Sequence, residues 1–111
     1  MQSFQHRGTP EISVEELERL LQAGGVRVVD VREEWEYRRG RVPGALHVPL
    51  NQLPQRAASL PRDKRILLIC ESGSRSLAAA DFLLRSGFEG ALSVKGGTGA
   101  WARTNRPLEK D

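Results

Sequence analysis

Residues 65–70 read Arg-Ile-Leu-Leu-Ile-Cys, an apolar run with no polar alternation. A strand with one wet face alternates, whereas a strand covered on both faces does not, and double cover is the condition of a parallel sheet. The run therefore predicts a central strand with helices on either side. The flanking segments fit that reading. Residues 26–31 are β-branched and mostly apolar, and residues 45–48 and 91–94 are short apolar runs, so all three read as strands. Ser13 with Glu16 makes a capping box ahead of a stripe of Leu17, Leu20 and Leu21, and Gly24 or Gly25 closes that helix. Residues 33–40 predict a short polar helical turn ended by Gly40, and residues 50–60 a helix interrupted or restarted near Pro54. Residues 74–86 predict a helix with a stripe of Leu77, Ala80 and Leu84, stopped at Gly87, with Phe88 packing back in a Schellman-type cap. Strands alternating with helices imply an α/β three-layer domain.

At 111 residues the chain has room for one domain with a real core and not for two. The composition, 39% hydrophobic and 28% charged, is that of an ordinary globular protein. No run approaches the length of a membrane-spanning helix, and residues 1–10 contain no apolar stretch of signal length. With a single cysteine, and so no intrachain disulfide, this points to a cytoplasmic home. His6 and His47 are too isolated to complete a metal site with that cysteine, and no cofactor is implied. The net charge is +3, carried by fourteen arginines against three lysines, with only Arg38, Arg39 and Arg41 clustered. Few aromatics are interleaved for base stacking, so the surface reads as solvated and mildly attractive to small anions, with no nucleic-acid or membrane partner.

The one thiol sits where the central strand gives way to a helix. In an open α/β sheet the carboxyl ends of the strands form the crevice in which ligands bind. Cys70 lies at such an end, followed by Glu71, Ser72, Gly73 and Ser74, a tract small and flexible enough to turn its backbone N–H groups inward. Amides and a helix N-terminus converging on sulfur favour the thiolate, the reactive form of cysteine. An isolated cysteine is more often a small buried hydrophobe. The glycine and serines directly after this one shift the reading to a nucleophile.

Three segments carry a family resemblance. Residues 30–50, with Asp30, Arg32, Glu36, Gly40, Pro43, Gly44 and Ala45 in the expected places, resemble the first signature of the single-domain rhodanese-like sulfurtransferases. Residues 70–76, Cys-Glu-Ser-Gly-Ser-Arg-Ser, are similar to the family's active-site loop, and residues 94–101 resemble its closing segment. The likeness covers about residues 11–102, leaving 1–10 and 103–111 as termini expected to be flexible. It implies an α/β/α sandwich around a central parallel sheet of about five strands. It also implies catalysis through a persulfide on Cys70: a sulfane sulfur is taken from a small anion such as thiosulfate, or from a persulfide donor, and passed to a thiol, cyanide or an acceptor protein.

On that reading residues 70–76 cradle the substrate and Arg75 is the fork for its anionic end, against the alternative of a surface arginine set unfavourably in a first helical turn. Asp30 and Arg32 either frame the pocket or brace the loop as an ion pair, and bracing is favoured; Glu36 belongs to the same supporting group. Trp35 walls the pocket, docks a partner, or simply packs inward, while Trp101 reads as core. Gly96, Gly97 and Gly99 read as a close-approach turn near the active loop. Glu71 departs from the basic or neutral residue that family loops often carry after the cysteine. It would repel a dianionic donor, unless it faces solvent or pairs with an arginine. Arg41 stands where the family often has histidine and reads as surface variation.

Two rivals stay open. Cysteine phosphatases and arsenate reductases use a similar cradle with the arginine one residue further on. Four residues separate Cys70 from Arg75 here, a ring too small to bind all the oxygens of a tetrahedral phosphate. A non-catalytic interaction module is the other, and retention of the cysteine argues against it.

Overall fold

The structure, a computed structural model, describes residues 8–111, so His6 and most of the N-terminal stretch expected to be flexible fall outside the described residues. Strands β1 (Glu11–Ile12), β2 (Val26–Asp30), β3 (Leu46–His47), β4 (Arg65–Ile69) and β5 (Leu92–Val94) form one sheet in the order β1-β5-β4-β2-β3. Every pairing is parallel, and the central one sets Val29 against Leu68 and Asp30 against Ile69.

Helices α1 (Val14–Ala23), α2 (Glu34–Arg39), α3 (Leu53–Arg56), α4 (Ser74–Arg85) and α5 (Gly97–Arg103) cover both faces. The lack of alternation in β4 is explained directly. Ile66, Leu68 and Cys70 join one core with Leu53, Ala79, Ala80 and Leu83, while Leu67 and Ile69 join the other with Val14, Leu17 and Trp101. Each fully buried aliphatic side chain contributes about 1.5–3 kcal/mol, and β4 supplies such side chains to both layers.

The local signals behave as physics expects, with three differences. Ser13 Oγ accepts from Glu16 N at 3.1 Å, and the α4 end is a Schellman turn: Gly87 has φ +91°, Phe88 N donates to Leu83 O at 2.9 Å, and Phe88 is buried. The stripe of α4, however, is turned by one residue, burying Ser76, Ala79, Ala80 and Leu83 and leaving Leu77 and Leu84 half-buried. Ser76 is polar and does not register as core, yet it is drawn under the helix by the sulfur described below. The edge strand β1 escapes sequence reading because it has only two residues; it is held by the ladder, Lys95 N donating to Ile12 O at 2.8 Å, and by Ile12 packing on the core.

The third difference is the C-terminal tail, expected to fray and instead docked. Arg41 and Glu109 exchange backbone hydrogen bonds of 3.0 and 2.8 Å, Trp101 Nε1 donates to Pro107 O at 2.7 Å, and Asp111 accepts from Arg41 Nη2 at 2.8 Å. The neighbouring arginine is spoken for as well, since Arg38 pairs with Glu34 and Asp111.

The topology fixes where a ligand can bind. The chain leaves β2 toward the β3 edge and leaves β4 toward β5, on the opposite side. Loops that part in opposite directions open a crevice at the carboxyl ends of those two neighbouring strands. Asp30 ends one strand, and Cys70 follows the other.

Candidate active site

Gly73, the N-cap of α4, carries no side chain to accept from the helix's first amides. The sulfur does so instead. Cys70 Sγ accepts from Gly73 N at 3.1 Å and from Ser76 N at 3.3 Å, the second being the third residue of the helix, where a capping oxygen usually bonds. Ser76 Oγ lies 3.5 Å from Sγ and is itself fixed by Gly73 O at 3.1 Å and by the buried Ser93 Oγ at 2.7 Å. Negative charge on Sγ is therefore met by two N–H groups and the start of a twelve-residue helix.

The inward-facing amides require the loop carbonyls to face out, and α5 receives them. Thr98 N donates to Cys70 O at 2.8 Å and Gly99 N to Glu71 O at 3.0 Å. Gly97 permits this approach: its φ is +58°, and a Cβ there would lie 2.1 Å from Cys70 O. The glycines at 96–99 thus form the close-approach turn that the sequence predicts.

Both ends of the loop are tied to residues 30–36. Arg75 forms a fork with Glu36, at 2.8 and 2.9 Å. The Arg75 hydrogen bonds hold the Glu36 carboxyl down at about 2, and Glu36 in turn pushes the guanidinium above its ordinary value. The arginine expected to meet a substrate anion is thus occupied by a protein carboxylate. At the other end Glu71 Oε1 accepts from Arg32 Nη1 at 3.3 Å, so the alternative in which Glu71 pairs with an arginine describes this conformation. Arg32 and Asp30 are a buried brace, with Asp30 accepting from Nε at 3.0 Å and from Nη2 at 2.8 Å, and Gly40 O accepting from Nη2 at 2.7 Å.

A cleft of about 400 Å³ opens beside the loop, lined among others by Arg32, Trp35, Glu36, Glu71, Thr98 and Leu108. Trp35 is 60% exposed, so it does not pack inward; the Arg39 guanidinium stands 5.8 Å from its ring centroid. Ser72 and Ser74 face solvent on the loop's outer side. Cys70 itself is fully buried, its sulfur lying beneath the loop rather than in the cleft wall. His47 is not among the sulfur's hydrogen-bond partners; its ring is stacked on Tyr37 with ring centroids 4.3 Å apart and bonded through Nε2 to Arg32 O at 2.8 Å.

Sequence reading missed Ser93 and Thr98. The one available signal for Ser93 is a polar residue inside the apolar run 91–94. Among the described residues no group of His, Cys, Asp or Glu could hold a metal ion, and no helix is long and apolar enough to cross a membrane.

The chain as a whole is similar to known proteins. The profile of one family, described as "Rhodanese-like domain", matches residues 13–104. A sulfurtransferase of Allochromatium vinosum is 36% identical over 99 residues, spanning 88% of this chain and 92% of that one. The crystal structure of a rhodanese-related protein from Thermoplasma volcanium superposes with a TM-score of 0.85 at 29% identity, covering 92% of this chain and 99% of that one. A thiosulfate sulfurtransferase from Pseudomonas aeruginosa has the same TM-score of 0.85 at 30% identity, over 94% of this chain but only 21% of its own.

Proposed function

Starting from the fact that this chain belongs to the rhodanese-like domain family, we propose that it is a sulfurtransferase carrying sulfur as a persulfide on Cys70. The observation that carries the reading is the pair of amides, Gly73 N and Ser76 N, aimed at a single sulfur at a helix start. With thiosulfate as donor, the Cys70 thiolate attacks the outer sulfur, the bond between the two donor sulfurs breaks, and sulfite departs with its electron pair. The persulfide anion left on Cys70 is stabilised by the same amides. Cyanide, or the thiolate of a small molecule or an acceptor protein, then attacks the outer sulfur and restores the thiolate. No proton moves in either half with cyanide as acceptor, so no general base is needed.

The sulfur is covered, so a donor reaches it by displacing the exposed part of the loop, Glu71 and Ser72, while Gly73 and Ser76 stay in place. The lone cysteine fits a reducing, cytoplasmic setting. The activity is tested by following thiocyanate from thiosulfate and cyanide, with an aryl phosphate in parallel. The expected result is thiocyanate that disappears in Cys70→Ser, with the phosphate ester untouched. Hydrolysis of the ester would instead make the protein a phosphatase, and inertness toward both would make it a binding module.

A further inference from the structure

The cleft contains one buried cation whose bonding is incomplete. Arg32 is 3% exposed and carries a guanidinium cation. Asp30 and Gly40 O take Nε and Nη2 at 2.7–3.1 Å. Nη1, with two hydrogens, has a single partner among the described residues: Glu71 Oε1 at 3.3 Å, from a side chain that is 53% exposed. That is long for a charge-assisted bond, against 2.8 and 2.9 Å in the Arg75 fork. In the same cleft wall Thr98 is 4% exposed, and its Oγ1 has no hydrogen-bond partner among the described residues. A buried hydroxyl left unpaired is costly, so a partner for it would be stabilising.

We propose that Arg32 Nη1, with Thr98 Oγ1 as a second donor, is the seat for the anionic end of the sulfur donor, and that Glu71 occupies it in the empty protein. This rests on the sulfur-transfer reading. Glu71 is then a built-in competitor: an oxyanion such as the sulfonate of thiosulfate binds only after the carboxylate swings into solvent. The swing also loosens the part of the loop that covers the sulfur. Arg75 cannot take this role while Glu36 occupies both arms of its fork.

The test measures thiosulfate loading of Cys70 by intact mass, in single-turnover series, for the full chain and for Glu71→Gln and Glu71→Asp. Glutamine removes the charge. Aspartate keeps it but draws it back by roughly 1.5 Å, one carbon–carbon bond, out of reach of Nη1. Both variants are expected to lower the half-saturating thiosulfate concentration about two- to fivefold, the effect of releasing a half-exposed ion pair. Unchanged half-saturation in both overturns the proposal. So does improvement in Glu71→Gln alone, which would mean charge repulsion at a distance and not competition for a seat. If no protein in the set gains sulfur, from thiosulfate or from cysteine persulfide, the sulfur-transfer reading itself fails and the seat falls with it.

Discussion

The two ends of the 70–76 loop are tied to the same stretch of chain, residues 30–36, with opposite polarity and unequal grip. At the helix end an arginine of the loop is held by two short bonds to Glu36, and the loop backbone there donates to the sulfur. At the strand end a carboxylate of the loop leans on Arg32 through one bond of 3.3 Å, from a half-exposed side chain. The firm end carries the groups that stabilise charge on sulfur; the loose end carries the exposed residues Glu71 and Ser72. A site that must hold an anion steadily and still admit a substrate needs this inequality, since uniform stiffness would exclude the donor and uniform slack would lose the amide geometry.

The comparison can be erased at its common anchor. Gly97→Ala forces a methyl group into Cys70 O, and the loop must move as a whole. The variant is expected to lose about 2–4 kcal/mol in denaturant unfolding and nearly all transfer activity. A midpoint equal to that of the parent would show that the contact is not needed. A smaller effect comes from breaking the firm end. Glu36→Gln leaves Arg75 without its carboxylate and is expected to cost about 1–2 kcal/mol, between the exposed and buried limits, with transfer reduced roughly tenfold as the helix start shifts. Unaltered activity would assign the fork to stability alone.

Acid probes the same pair in the unmutated chain. The Glu36 carboxyl is lowered from 4.5 to about 2, so the folded state favours its ionised form. The stability it adds is complete above about pH 4.5 and is lost as pH falls from there toward 2. The stability difference between the parent and Glu36→Gln should shrink over that window; a pH-independent difference would contradict the assignment. Last and smallest, Glu71→Gln at the loose end should change unfolding stability by less than about 0.5 kcal/mol, whatever it does to thiosulfate binding. A large loss would mean that both ends are firm.

Much of this was legible before any coordinates. The two-faced burial of β4 follows from an unalternating run, and the Schellman turn follows from Gly87 and Phe88, because both depend on neighbours in sequence. The pairing of Arg75 with Glu36 and the docking of residues 109–111 on Arg38 and Arg41 join positions far apart in the chain, and no local pattern encodes them. The buried stripe of α4 lies one residue from the one its apolar residues predict for a chemical reason: Ser76 is buried beside the sulfur, and a polar side chain reads as surface. Arg75 fits an anion by its type whether that anion is a ligand or a carboxylate of the protein, and in this conformation the anion is Glu36.

The central claim is that the amide-capped sulfur of Cys70 carries a second sulfur, and intact-mass spectrometry after exposure to a sulfane donor tests it most directly. The account predicts a gain of one sulfur atom per chain, removed by cyanide and absent in Cys70→Ser. A chain that stays at its own mass with every donor, or one that gains sulfur equally in Cys70→Ser, would contradict it.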